Sequence, residues 1–210
     1  MKSSTTFDWQ KYRLHLKEIL LFLPHYFRSP VQSMRSLPNW EWTTILLLHG
    51  LFGALVGLVS GVLKANLLSV LFNPIISAVS ALLIGILGAA FLFYFSLFYL
   101  NRKLDLQRLY VLVALASLPM LSLRVLSFIG SPINLIGFFV TCLLTVVGLV
   151  ENFAIERKIA IRLMGGVFAL FFVFWVAGVV VGSRSSVDRK ESIKPESMDQ
   201  LQREMKSQDR

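Results

Sequence analysis

Charge is what this chain has least of. Of its 210 residues 16% are charged, against about a quarter in a soluble domain. Residues 42–182 hold only eight Lys/Arg and three Asp/Glu. Segments that long and that poor in charge cannot be ordinary water-facing helices, so one membrane domain between two polar ends is the simplest account. No Asp or Glu falls inside any apolar run, which removes the paired carboxylates that a proton relay needs. A single cysteine, Cys142, excludes an intramolecular disulfide and a Cys-rich metal site. It lies in an apolar run and reads as a small residue facing lipid or a neighbouring helix. There is no Gly-rich phosphate loop and no His-Glu-x-x-His. The Gly-x-Ser-x-Gly setting of a rhomboid-like protease is also missing. The expectation is therefore no catalytic residue, no cofactor and no metal. A cleavable signal is not expected either, because the first long apolar run begins only near residue 42.

What is there is five apolar runs. A helix needs about 20 apolar residues to cross the hydrocarbon core. Residues 42–63 contain no charge and form span one. The uncharged stretch 65–100 is too long for one crossing. Asn66, Asn73 and Pro74 mark its beginning as a connection, which leaves 75–98 for span two. Spans three, four and five fall at 109–127, 133–150 and 163–181, with Gly130, Pro132 and Asn134 in the turn between three and four. The expected fold class is an all-α integral membrane protein, a five-span bundle at 42–182. A segment at 1–41 precedes it and a charged, disordered tail at 183–210 follows it.

The net charge of +9 belongs to membrane topology rather than to nucleic acid. Arg102, Lys103 and Arg108 occupy one connection, and Arg157, Lys158 and Arg162 another. The alternate connections hold one basic residue each, Lys64 and Arg124. Basic residues near span ends favour the cytoplasmic side, which places the N-terminus inside and the C-terminus outside. Trp40, Trp42 and Tyr99 stand at cytoplasmic boundaries as interfacial aromatics do. Before span one, Trp9, Tyr12, Leu16, Ile19, Leu20, Leu23 and Phe27 recur at helical steps with Lys11, His15, Glu18 and Arg28 between them. This predicts an amphipathic helix, either lying in the interface or packed on the cytoplasmic ends of the spans. Pro24 would bend it and Pro30 ends it.

Within the spans, Gly53, Gly57 and Gly61 repeat every fourth residue in span one, and Ser77, Ala81, Gly85 and Ala89 do so in span two. Small residues at that step share a face and let two backbones approach, so spans one and two are expected to pack as a hairpin. His49 is the one embedded histidine. With no acidic partner in any span, it reads as neutral, bonded to a backbone carbonyl or to Thr141 or Thr145. Arg124 sits near the outer end of span three, where its side chain can snorkel, with Asn134 a plausible neighbour. Pro119 interrupts span three and should kink it.

These residues resemble the Yip domain family, membrane proteins named for interaction with Ypt/Rab GTPases. The stretch Phe27-Arg28-Ser29-Pro30, with Met34 and Leu37 beyond it, looks like the proline-containing segment before the family's first span. Tyr110 followed by Ala114-Leu115-Ala116-Ser117-Leu118-Pro119 is similar to the family's "Ser-Leu-Pro" inside span three. The resemblance covers about residues 15–182 and points to a bacterial-type member. The acidic, aromatic and Gly-Pro motif of eukaryotic trafficking members is not visible, so the resemblance does not extend to Rab binding. It implies a fold and a membrane-organising role, not a reaction. The function expected is a non-enzymatic scaffold in a multi-pass setting. Its partners would be the lipid bilayer, other membrane proteins and a second copy of itself, but no nucleic acid. The runner-up is a small transporter or channel subunit, which should show polar groups near the midplane and repeat symmetry.

Overall fold

The computed structural model describes residues 9–63, 67–128 and 132–191. All the described elements are helical. In chain order they are α1 (Trp9–Arg28), α2 (Pro30–Arg35), α3 (Trp42–Leu63), α4 (Leu67–Tyr99), α5 (Leu106–Arg124), a 3-10 turn at Val125–Phe128, α6 (Pro132–Phe153) and α7 (Arg157–Glu191). Five of them, α3 to α7, are long and apolar enough to cross a membrane. The chain divides into two compact units, Met1–Phe168 and Ala169–Arg210. The first holds the packed bundle. The second holds the remainder of α7, where the rings of Phe172 and Trp175 stack at 6.3 Å.

Several boundaries differ from the sequence expectation for physical reasons. α4 begins at Leu67, so Asn73 and Pro74 lie inside the helix rather than in a connection. At 33 residues it is about 50 Å long. A proline costs a helix one hydrogen bond, and apolar helices tolerate it when a neighbour covers the gap. Here α3 lies directly against that backbone. Pro30, expected to stop α1, also opens α2 from its first turn, where its missing N–H costs nothing. The Asp105 carboxylate caps α5 by accepting from the Gln107 N–H at 3.0 Å, starting the helix three residues before the apolar run. α7 does not stop at 181. It is helical to Glu191, the last described residue, where the sequence expectation is a disordered tail from 183. Residues 192–210 lie outside the described residues, as do Lys64, Asn66 and Gly130.

α4 and α6 end alike. Asn101 and Ala154 both take positive φ, 51° and 50°. The next N–H then reaches back six residues, Arg102 to the Ser96 carbonyl and Ile155 to the Leu149 carbonyl, one residue further than the bond that closes a Schellman turn.

At the centre stands α5. Leu109, Tyr110, Val111, Leu112, Ala114, Leu115, Ala116 and Leu118 are all fully buried, and α2, α3, α4 and α6 surround them. The seam between α3 and α4 is made of backbone. A Cβ on Gly53 would stand 3.1 Å from the Ser77 carbonyl oxygen, and one on Gly57 would collide with the Asn73 carbonyl. On Gly61 it would meet the Ser69 carbonyl. Ser77 and Ala81 face this seam, whereas Gly85 faces His49 and Tyr110 instead. Ala89 is buried in the core around α5.

α1 does not lie flat across the ends of the spans. Its His15 meets Thr44 at 2.7 Å, while the Phe27 ring stacks on Phe52 at 6.1 Å. Eight residues separate Thr44 from Phe52, so α1 advances about 12 Å alongside α3. Its inner face is His15, Ile19 and Tyr26, with Phe22 and Leu23 half-buried. Leu16, Leu20 and Phe27, read from the sequence as one stripe with Ile19, are exposed. Trp40, expected among the headgroups, is buried with its ring edge-on to Phe22 at 4.8 Å.

Candidate functional site

The Ser117-Leu118-Pro119 stretch gathers the polar contacts of the bundle's interior. Each of its residues has a separate task. Pro119 has no N–H, so the Leu115 carbonyl four residues earlier has no helical partner. Tyr26 supplies one: its hydroxyl donates to the Leu115 oxygen at 2.7 Å. The N-terminal segment is thus latched to α5 at the place where the proline opened it. Burial pushes the Tyr26 phenol well above the ordinary tyrosine range, so it stays a donor. The helix runs unbroken through Pro119 to Arg124. Leu118 fills the core.

Ser117 carries the second contact. Its Oγ lies 3.2 Å from His49 Nε2 and 2.8 Å from the Ala114 carbonyl oxygen. His49 Nδ1 lies 3.1 Å from the Tyr110 hydroxyl. One arrangement gives every hydrogen an acceptor. Tyr110 donates to Nδ1, the Nε2–H donates to Ser117, and Ser117 donates to Ala114. His49 is then a neutral imidazole, 2% exposed, with both nitrogens used. Gly85 makes room for it, since a Cβ there would run into the imidazole ring. Trp42 leans on the far side of Tyr110, with the ring centroids 5.5 Å apart.

This corrects the expected partners of His49. Thr141 donates to the Gly137 carbonyl at 3.0 Å and Thr145 to the Thr141 carbonyl at 2.8 Å, so both turn back on their own helix. A serine and a histidine do meet inside the bundle, which no sequence spacing showed. A nucleophile needs its proton aimed at a base, and in the arrangement above the Ser117 hydroxyl donates to the Ala114 carbonyl instead.

Two further polar ties went unread in the sequence. Asn152 donates to the Met34 carbonyl at 2.8 Å and accepts from the Leu37 N–H at 3.1 Å, fastening the segment after α2 to α6. Gln107 donates to the Trp40 carbonyl at 2.6 Å. Long-range side-chain-to-backbone bonds leave no periodicity to detect. The only hint was a lone amide at a span end.

The opposite end of the bundle differs. Arg124 and Asn134 line one cavity of about 340 Å³ together with Gly57, Ser60, Asn73, Ile76 and Ser77. Cys142 is buried on α6, lining an apolar groove with Leu143, Ile161 and Met164. No group of His, Cys, Asp and Glu among the described residues could hold a metal ion.

Against family models, curated proteins and solved structures, the chain finds no match.

Proposed function

We propose that the protein is a non-enzymatic membrane scaffold similar to the Yip domain family, embedded through α3 to α7 and binding other membrane proteins. The observation that carries this reading is the use made of the interior polar groups. His49, Tyr110, Ser117 and Tyr26 all bind one another or the backbone of α5. They lock the bundle around α5 and are used up in doing so. Large apolar side chains remain outward. Leu14, Leu20, Leu21 and Phe27 on α1 are exposed, and so are Leu83, Ile84 and Leu87 on α4.

In this reading the N-terminus and the connections 101–108 and 151–162 face the cytoplasm, and the C-terminus lies on the other side. Basic residues set that orientation. α1 enters the inner leaflet beside α3, and its Arg13 and Lys17 lie near anionic headgroups, worth about 1 kcal/mol each. Reporter fusions test the orientation: a cytoplasm-only reporter works before residue 1 and within 101–108, and fails after Arg210.

Photocrosslinking tests the scaffold. A crosslinking side chain at Leu21 captures a membrane protein in cells, and one at the buried Leu112 does not. Capture of lipid alone at Leu21 would sink the proposal. So would solute flux in liposomes above that of empty ones, which would favour the transporter reading, or labelling of Ser117 by a fluorophosphonate, which would favour an enzyme.

A further inference from the structure

The cavity at the far end of the bundle is polar where its surroundings are apolar. It opens where the C-terminal ends of α3 and α5 meet the N-terminal parts of α4 and α6, with Gly57 on its wall. Of the seven described residues that line it, five carry hydrogen-bond donors, Ser60, Asn73, Ser77, Arg124 and Asn134, and none is a carboxylate. Among the described residues, Arg124 makes no ion pair or hydrogen bond.

Ser77 points to a missing acceptor. An embedded hydroxyl in a helix ordinarily donates to the carbonyl four residues back. Ser122, Thr141 and Thr145 all do so here, at 2.8–3.0 Å. Ser77 does not: it is 6% exposed and its Oγ has no partner. The carbonyl it would use belongs to Asn73, against which Gly57 is packed. A buried hydroxyl without an acceptor costs about 1–3 kcal/mol. It is therefore a group waiting for a ligand that can accept.

We propose that this cavity binds a phosphate group, held by the Arg124 guanidinium and by the amides and hydroxyls of Asn73, Asn134, Ser60 and Ser77. The chemistry fits the donor set. A guanidinium takes two phosphate oxygens in a fork, and the other oxygens are left for neutral donors. The volume holds a phosphate with bridging waters, each needing about 30 Å³. An arginine that reaches the membrane boundary meets phosphates there, either in lipid headgroups or free in solution.

The test uses the full chain in a maltoside detergent and chloride buffer, with unfolding followed by tryptophan fluorescence. One arm adds inorganic phosphate. The other adds short-chain phosphatidylglycerol, with diacylglycerol of the same chains as the phosphate-free control. A ligand that binds only the folded state raises the midpoint. If the source is a lipid, phosphatidylglycerol alone raises it. If the source is free phosphate, inorganic phosphate raises it as well. Diacylglycerol raises it in neither case. Arg124→Gln weakens the responding ligand about ten- to a hundredfold, the loss expected for charge-assisted bonds. Should that variant fail to fold, Asn134→Leu and Ser77→Ala each weaken the same response by several-fold. No midpoint shift in either arm overturns the proposal. So do an equal response to diacylglycerol and unchanged affinities in the variants.

Discussion

Two polar places interrupt this apolar bundle, and they are built on opposite principles. Around His49, every hydrogen has an acceptor within the protein, and a glycine, Gly85, is needed only to let the ring fit. Around Arg124, donors converge on a space and find no acceptor within the described residues. A polar group in a low-dielectric interior is costly until it is paired. The first place is completed by folding. The second asks for something from outside. Serine occurs in both: Ser117 is bonded at one end and Ser77 has no partner at the other. What separates them is whether the donor and acceptor counts close.

Substitutions can break or sharpen that contrast. The largest effect belongs to Gly57, which borders the cavity and also lies on the α4 backbone. Gly57→Leu puts a large side chain where the Asn73 carbonyl already sits. It should lower stability by about 3 kcal/mol or more, read as loss of monodisperse protein in detergent. Next comes the closed cluster. His49→Leu leaves the Tyr110 hydroxyl and Ser117 without their shared partner and should cost about 1–3 kcal/mol in thermal unfolding. His49→Gln keeps an amide for one of them and should cost less. If His49→Leu were neutral, the cluster would not be holding the bundle.

Tyr26→Phe should cost about 1 kcal/mol, the net worth of one buried hydrogen bond. It should also change the alkaline limb of stability. The folded phenol titrates above the unfolded value of about 10. The stabilisation is therefore complete below about pH 10 and is lost as pH rises through the raised folded value. Tyr26→Phe removes that decline. The smallest effect is at the open place. Without ligand, Arg124→Gln should move stability by no more than about 0.5 kcal/mol, because no internal partner is lost. A large loss there would erase the distinction between the two places.

Much of the framework was legible because charge is the strongest signal in an apolar chain. The start of α3 falls where its uncharged run begins, just after Glu41. The small-residue rows marked where α3 and α4 backbones meet. The start of α4 was not legible. Asn73 and Pro74 carry the same letters whether they end a helix or lie within one, and only the packing of Gly57 against them decides. The partners of His49 were hidden for a related reason. Tyr110 and Ser117 lie 61 and 68 residues away in sequence, and no local pattern links such positions. Both stood in the stretch that carried the family resemblance, yet nothing in that stretch named the histidine. The face of α1 was misassigned because its apolar residues cover more than half the helix. Tyr26, a polar-tipped ring, proved a better anchor than Leu20.

The burial of α5 has a consequence for how the protein is made. It is the least apolar of the five long helices, and it carries Pro119 within it. On entering a bilayer alone it would expose Gln107, Arg108, Ser117 and an unbonded Leu115 carbonyl, each costly in hydrocarbon. Its neighbours supply what lipid cannot: α1 covers the carbonyl and α3 brings the histidine. α1, α3 and α4 all precede it in the chain, so each emerges from the ribosome before α5 does. In the proposed membrane setting, insertion of this helix is a step of assembly, guided by chain that has already arrived. A nascent chain lacking α1 should leave α5 lingering at the translocation machinery.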